Sequence, residues 1–149
     1  MKMSKRATYG ILAAVDLATN AKEAPIQAKA ISRRQGIPLR FLEQVLHAMK
    51  NAGLVESHRG AQGGYRLSRE PAELSLADIF ESLEGPVFHR SHIDQRTRSR
   101  HTTKPEILLG DVWEQVQQAE RKVLEDITVE HLAVRQQFID AQRNPMYHI

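Results

Sequence analysis

The tripeptide Gly36-Ile37-Pro38 constrains the architecture of this chain more than any other feature. Glycine stops a helix and proline cannot continue one, so two helical patterns that meet here must be separate helices joined by a tight turn. Both patterns are present. Upstream, IQAKAISRRQG turns Ala28 and Ile31 inward and ends on Gly36. Downstream, Leu39 to Asn51 gathers Leu39, Leu42, Leu46 and Met49 on one face and Arg40, Glu43, Gln44 and His47 on the other, and Gly53 closes it. Helix, glycine-containing turn and helix form the pattern whose second helix enters the DNA major groove. The same pair recurs in helical bundles, where the polar stripe simply faces water.

The next stretch narrows the choice. Leu54-Val55-Glu56-Ser57-His58 and Tyr65-Arg66-Leu67-Ser68 are two short β-type runs around RGAQGG, a hairpin with a glycine-rich tip. Gly60, Gly63 and Gly64 allow positive φ and close backbone approach, and Arg59 and Arg66 flank them with fixed positive charge. A phosphate-binding loop would need Lys-Ser/Thr after its last glycine and then a helix, and a dinucleotide loop would need Gly-x-Gly-x-x-Gly opening a helix. Here Tyr-Arg-Leu-Ser and then Arg69-Glu70-Pro71 follow, so the glycines serve a hairpin and the prediction is a winged helix.

Charge is divided unevenly. Residues 1–69 hold 12 Lys/Arg against 4 Asp/Glu, or +8, whereas residues 70–149 hold 9 against 14, or −5. A basic first half suits a polyanion and an acidic second half restricts where that polyanion sits, although a basic surface can also be merely solvated. The chain has no cysteine, which excludes disulfides, thiolate nucleophiles and thiolate-held zinc or iron–sulfur sites. No apolar run is long enough for a bilayer and MKMSKRATYG lacks a signal-peptide core, so a cytoplasmic location is expected.

The remaining pattern is helical. Ser4 to about Asn20 repeats Ala7, Ile11, Ala14, Val15 and Ala18 on one face. Leu74 to Leu83 carries Leu76, Ile79, Phe80 and Leu83, with Ser75 as its cap, and should pack under the wing. FHRSHIDQRTRSRHTTKPE has no periodicity and is expected to be an exposed loop over residues 88–104. From Pro105 to Ile127 a long stripe returns, with Leu108, Val112, Val116, Ala119, Val123 and Ile127 in line and Trp113 beside it. Residues 1–83 already complete a small core, so this stripe points to pairing with a second copy; the alternative is that it folds back on its own domain. Residues 128–138 predict a further helix with Val129, Leu132 and Phe138 as contacts, followed by a flexible tail over 139–149. The fold class is thus mainly α with a small β-hairpin: a winged helix-turn-helix domain over 1–87 and dimerisation helices over 105–138.

The run ISRRQGIPLRFLEQVLHAMKNAGLVESHRGAQGGYRLSREPAELSLADIFESLEG, with the K-x-x-YG-I-like start before it, resembles the Rrf-two family of bacterial winged-helix transcription regulators over about residues 1–87. That family includes an iron–sulfur cluster regulator, a nitric-oxide-sensing repressor and a cysteine-metabolism repressor. The resemblance implies a homodimer that reads a roughly palindromic operator through its third helix and sets the wing in the minor groove. It assigns DNA contact to Arg40, Phe41, Glu43 and Gln44 on the helix and to Arg59, Gly60, Gly63 and Gly64 on the wing. The chemistry agrees: Arg40 suits guanine or phosphate, Gln44 adenine, Glu43 cytosine, and Arg59 a narrow minor groove. His47, Gln62 and Arg66 join this candidate surface. Lys5, Arg6 and Lys50 suit phosphates, which position without specifying, and Tyr65 suits wing packing.

Several relatives hold an iron–sulfur cluster on three cysteines in the loop before the dimer helix; this loop has none, so that cofactor is not expected. His89, His92 and His101, with Asp94, are weak candidate metal ligands, since imidazoles bind zinc, nickel or copper but two of them three apart in a loop do not define a site. Arg90, Arg96, Arg98, Arg100 and Lys104 can extend a DNA footprint, receive an anionic signal or remain solvated. The leading reading is a sequence-specific, dimeric regulator of transcription, expected to repress. The alternatives are a regulatory module controlled by a partner protein, as some relatives are, or a histidine-based metal sensor. An enzyme is disfavoured: there is no cysteine nucleophile, phosphate loop, or carboxylate–histidine set at catalytic spacing.

Overall fold

The computed structural model describes residues 3–85 and 103–144. Three helices, α1 (Lys5–Asn20), α2 (Ala28–Gln35) and α3 (Leu39–Asn51), lead into an antiparallel hairpin of β1 (Val55–His58) and β2 (Gly64–Leu67). A 3-10 turn over Pro71–Glu73 then precedes α4 (Leu76–Glu84), and α5 (Lys104–Asp126) and α6 (Val129–Arg143) complete the order. The winged helix-turn-helix is present as expected.

Helix α1 lies at the centre. It starts where the Ser4 hydroxyl accepts from the Ala7 N–H at 3.0 Å. Ala7, Ile11, Ala13, Ala14, Val15 and Leu17 are all buried, which spreads around most of the cylinder because α2, α3, α4, α6 and β2 all pack on it. Small side chains permit this crowding. At Gly10 an added Cβ would collide with Leu83 of α4, so the glycine sets how closely those two helices approach.

One buried polar residue fastens α2 to α1. Asp16 is 0% exposed, and its Oδ1 accepts from Arg34 Nη2 at 2.7 Å while its Oδ2 accepts from Arg34 Nε at 2.9 Å and Gln35 Nε2 at 3.0 Å. Every lone pair direction that matters is thus satisfied, the condition for a carboxylate to be tolerated in a core. The same hydrogen bonds hold the Arg34 guanidinium above its ordinary pKa.

Gly36 ends α2 in the left-handed region, φ 65°, and Ile37 drops into the core between the two helices. That placement corrects one expectation. Leu39 is 38% exposed rather than buried, and Val45 is buried beside Leu42, Leu46 and Met49. Leu39 opens its helix, and side chains lean toward the N-terminus, so it points past the core edge that Ile37 already fills.

Helix α4 begins with a reciprocal cap, Asp78 N–H to Ser75 Oγ at 3.1 Å and Ser75 N–H to Asp78 Oδ2 at 3.0 Å. It packs chiefly against α1, α3 and α5 rather than under the wing, because its stripe of Leu76, Ile79, Phe80 and Leu83 continues the core across α1.

The last two helices return to this same core. Leu76 N–H donates to the Ile127 carbonyl at 2.9 Å and Val129 N–H to the Leu74 carbonyl at 2.8 Å, clamping the α5–α6 junction beside the start of α4. Leu124, Val129 and Ala133 are buried there. Residues 1–83 therefore do not close their core alone, and α6 belongs to the winged body rather than to a separate dimerisation unit. Helix α6 also runs on to Arg143, into the stretch expected to be a flexible tail, and Phe138 is 65% exposed instead of making an internal contact. Lys104, placed in the loop by sequence, is the first residue of α5.

Candidate nucleic-acid interface

Helix α3 presents a continuous outward face. Arg40, Phe41, Glu43, Gln44, His47 and Lys50 are all exposed, while Leu42, Val45, Leu46 and Met49 anchor the opposite face. A helix with one apolar face locked in place holds its polar side chains in fixed azimuth, which base reading requires. His47 Nε2 lies 3.2 Å from the Asn51 Nδ2, so one end of the stripe is already hydrogen-bonded within the helix.

The hairpin aligns Val55 with Leu67, Glu56 with Arg66, Ser57 with Tyr65 and His58 with Gly64. Its tip, residues 59–63, turns on a Gly63 N–H to Gly60 carbonyl bond of 3.0 Å. Arg59 and Gln62 are exposed at this tip, as is Gly60, whereas Gly63 is buried. Arg66 is half-buried and stands opposite Glu56 in the ladder, while the Glu56 carboxylate lies 3.8 Å from His58 Nε2.

Gly64 has a role that the sequence did not reveal. The connector residue Ile26 pairs with Tyr65 in both directions, Ile26 N–H to Tyr65 O at 2.9 Å and Tyr65 N–H to Ile26 O at 2.8 Å. The Ile26 backbone then passes so close to Gly64, which has φ 144°, that no Cβ fits. This bridge ties the wing base to the segment entering α2. Tyr65, expected to pack within the wing, also packs on the core; Ile26, which by sequence falls in the α2 pattern, precedes that helix and pairs alone, and a single bridged residue has no periodicity.

Between the first turn of α1 and the side of α3 lies a cleft of about 410 Å³. Lys5, Arg6 and Tyr9 line it from α1, and Pro38, Phe41, Gln44 and Val45 from the α3 side. Four of the predicted contact residues thus share one concavity; Tyr9, Pro38 and Val45 were not predicted.

The other candidate surface is on α5. Leu108, Val112, Trp113, Val116 and Val123 are 71%, 51%, 54%, 43% and 56% exposed, and Ala119 is exposed beside them. Ile107 and Leu109 of the same helix are also exposed, at 63% and 48%. Ile127 departs from this set: it caps α5, is half-buried, and packs on its own core. The fold-back alternative therefore describes only the last turns of α5, where Leu124 is buried.

His89, His92, His101 and Asp94, with most of the basic loop, lie outside the described residues. Among the described residues no group of three or more His, Asp or Glu side chains is placed to hold a metal ion. Nor is any helix among them long and apolar enough to cross a membrane.

Comparison with known proteins gives a consistent result. The family whose model matches, over residues 3–135, is Rrf2, described as an iron-dependent transcriptional regulator. An HTH-type transcriptional regulator of Mycobacterium tuberculosis, Rv1287, is 36% identical over 89% of this chain and 81% of its own. The HTH-type transcriptional regulator CymR of Bacillus subtilis is 32% identical over 89% of this chain and 90% of its own. Among solved structures, CymR of B. subtilis, the global cysteine regulator, superposes with a TM-score of 0.75 at 32% identity, covering 91% of this chain and 98% of that one. IscR of T. potens does so with a TM-score of 0.74 at 34% identity, covering 91% and 88%. The iron in the family description meets a donor set that does not suit a thiolate-held cluster, since this sequence contains no cysteine.

Proposed function

Because the chain belongs to the Rrf2 family of transcriptional regulators, whose relatives here are regulators and not enzymes, we propose that it is a bacterial, cytoplasmic repressor that binds a palindromic operator as a homodimer. One observation carries the DNA contact: the outward face of α3 is exposed along its length over a fully buried back. On this reading Arg40, Glu43 and Gln44 meet base edges, Arg59 enters the minor groove from the wing tip, and Lys5, Arg6 and Lys50 hold phosphates.

The homodimer is supported by the α5 stripe. Seven large apolar side chains are exposed on α5, five of them in the stripe, more than a solitary surface normally carries, and a two-fold partner offers the matching patch. Two winged bodies then face two half-sites about one helical turn apart. The regulator works without a thiolate-ligated iron–sulfur cluster.

The test is selection of genomic fragments by the purified chain in competitor DNA at moderate salt, where sequence-independent phosphate binding is suppressed. A recovered palindrome is the expected result. Enrichment of single, unpaired half-sites would refute the dimer, and enrichment of nothing would refute sequence-specific binding.

A further inference from the structure

Phe41 has a place on the DNA-facing helix but, so far, no chemistry. It is 57% exposed on a face otherwise made of Arg40, Glu43, Gln44 and His47. An aromatic ring left in water beside charged neighbours forgoes the burial its apolar area would gain, so a partner that covers it is worth identifying. The surroundings identify it. Phe41 forms one wall of the cleft between α1 and α3, Val45 and Pro38 extend that apolar wall, and Lys5 and Arg6 face it from the first turn of α1. Gln44 lies at i+3 from Phe41 and lines the same cleft, so the two side chains are neighbours on the helix surface.

The major groove offers a protein one methyl group, the C5-methyl of thymine. It projects into the groove beside the sugar–phosphate backbone of its own strand. A concavity with an apolar aromatic wall and two cations opposite matches that pair of groups, methyl and neighbouring phosphate. The adjacent amide suits adenine, whose N6 amino group donates to the glutamine Oε1 while its N7 accepts from the glutamine Nε2. Neither a guanine edge nor a bare phosphate would use the ring at all.

We infer that Phe41 is a specificity-determining residue that reads a thymine methyl in the α1–α3 cleft, with the adjoining phosphate on Lys5 and Arg6 and an adenine under Gln44 within about two base steps. The inference rests on the DNA-binding reading above and names the base that this part of α3 selects. A lone arginine or glutamine recognises hydrogen-bonding edges; Phe41 adds a contact sensitive to a methyl that forms no hydrogen bond.

Deoxyuridine in place of thymine removes that methyl and keeps every hydrogen-bonding group. The palindromic duplex recovered from genomic fragments is synthesised with deoxyuridine at each thymine in turn and titrated, by fluorescence anisotropy at one salt concentration, with the full chain, Phe41→Ala and Phe41→Leu. At one thymine per half-site, the substitution is expected to weaken the parent about fourfold, the value of one buried methyl. Phe41→Ala should respond less than about twofold at that position, and Phe41→Leu, which keeps an apolar contact, should retain part of the response. Indifference of the parent to deoxyuridine at every position, or an undiminished response in Phe41→Ala, overturns the assignment and leaves DNA binding intact. A parent chain that prefers no duplex overturns both. Since Phe41 is exposed, unchanged thermal unfolding of the two variants shows that altered binding is not lost folding.

Discussion

Replacing Arg34 by alanine isolates the contact that holds α2, and through the short turn at residues 36–38 also α3, against the central helix. The substitution removes both guanidinium bonds to Asp16, at 2.7 Å and 2.9 Å, and leaves a carboxylate of 0% exposure with Gln35 as its remaining side-chain donor. Two charge-assisted bonds are worth about 1.5–3 kcal/mol each when fully buried. The Arg34 side chain is 41% exposed, so water screens the pair and can replace part of what is lost. The expected destabilisation is about 2 kcal/mol, or roughly 4–8 °C in Tm for a chain of this size. Asp16→Asn should act in the same direction, because three N–H donors converge where an amide offers one oxygen and its NH₂ must face a donor. Arg34→Lys should recover only part, since an ammonium cannot make the parallel pair. Replacing both partners with methionine removes the stranded charge and should restore much of the stability. Thermal unfolding followed by circular dichroism measures all four. An Arg34→Ala variant that melts within about 1 °C of the parent would falsify the claim that this carboxylate depends on its guanidinium.

Arg59→Ala should weaken operator binding tenfold or more while leaving Tm unchanged, because Arg59 is exposed at the wing tip; equal affinity by anisotropy would remove the wing from the reading. Trp113→Ala should raise the dimer dissociation constant at least about tenfold in sedimentation experiments, whereas Ile127→Ala, packed on its own core, should lower Tm and spare association; the reverse pattern would reassign the α5 face. At the start of α5, the Glu106 carboxyl accepts from the Thr103 N–H at 2.7 Å, which holds its pKa below the usual carboxylate value. A depressed folded value means that the cap contributes above the unfolded pKa and is lost as pH falls through the folded one. Amide exchange in the first turn of α5 should therefore accelerate, relative to intrinsic rates, only in acid, and a Glu106→Gln variant showing the same acid response would disprove the link.

Much of this fold is written in local pattern. Glycine at 36, proline at 38 and the apolar spacing of α3 specify the helix pair, and RGAQGG between two short β-type runs specifies the wing. Long-range contacts were not visible in the same way. Asp16 sits inside an apolar face, where periodicity counts hydrophobic positions and passes over a polar one whose partners are 18 and 19 residues away. Ile26 joins the wing through one bridge, too short for any alternation to register. Leu39 fits the α3 stripe by spacing, yet the turn hands its place in the core to Ile37. Arg40, Phe41, Glu43, Gln44 and the wing residues were nameable through the family resemblance, with base and phosphate chemistry agreeing for the polar ones; the cleft that gathers four candidate residues depends on how α1 meets α3, which spacing along one helix does not encode.

The same long-range contacts decide how the two candidate surfaces communicate. Helix α5 joins the winged body where Leu124 is buried and where Arg121 reaches Glu81 of α4 at 3.6 Å and Glu125 at 2.7 Å. Helix α4 in turn presses Leu83 onto Gly10 of α1, and its Glu84 accepts from the Ser4 hydroxyl that caps the same helix. The residue after Ser4 is Lys5, and Lys5 and Arg6 line the cleft with Phe41. Exposed ion pairs of this kind contribute little individually, so the packed contact of Leu83 on Gly10 is the stiff element in the chain of contacts. A change in the angle at which α5 leaves the body must therefore move α4 against α1, or else open a void beside Gly10. In a dimer joined through α5, that angle also sets the separation of the two α3 helices, which has to match half-sites one helical turn apart.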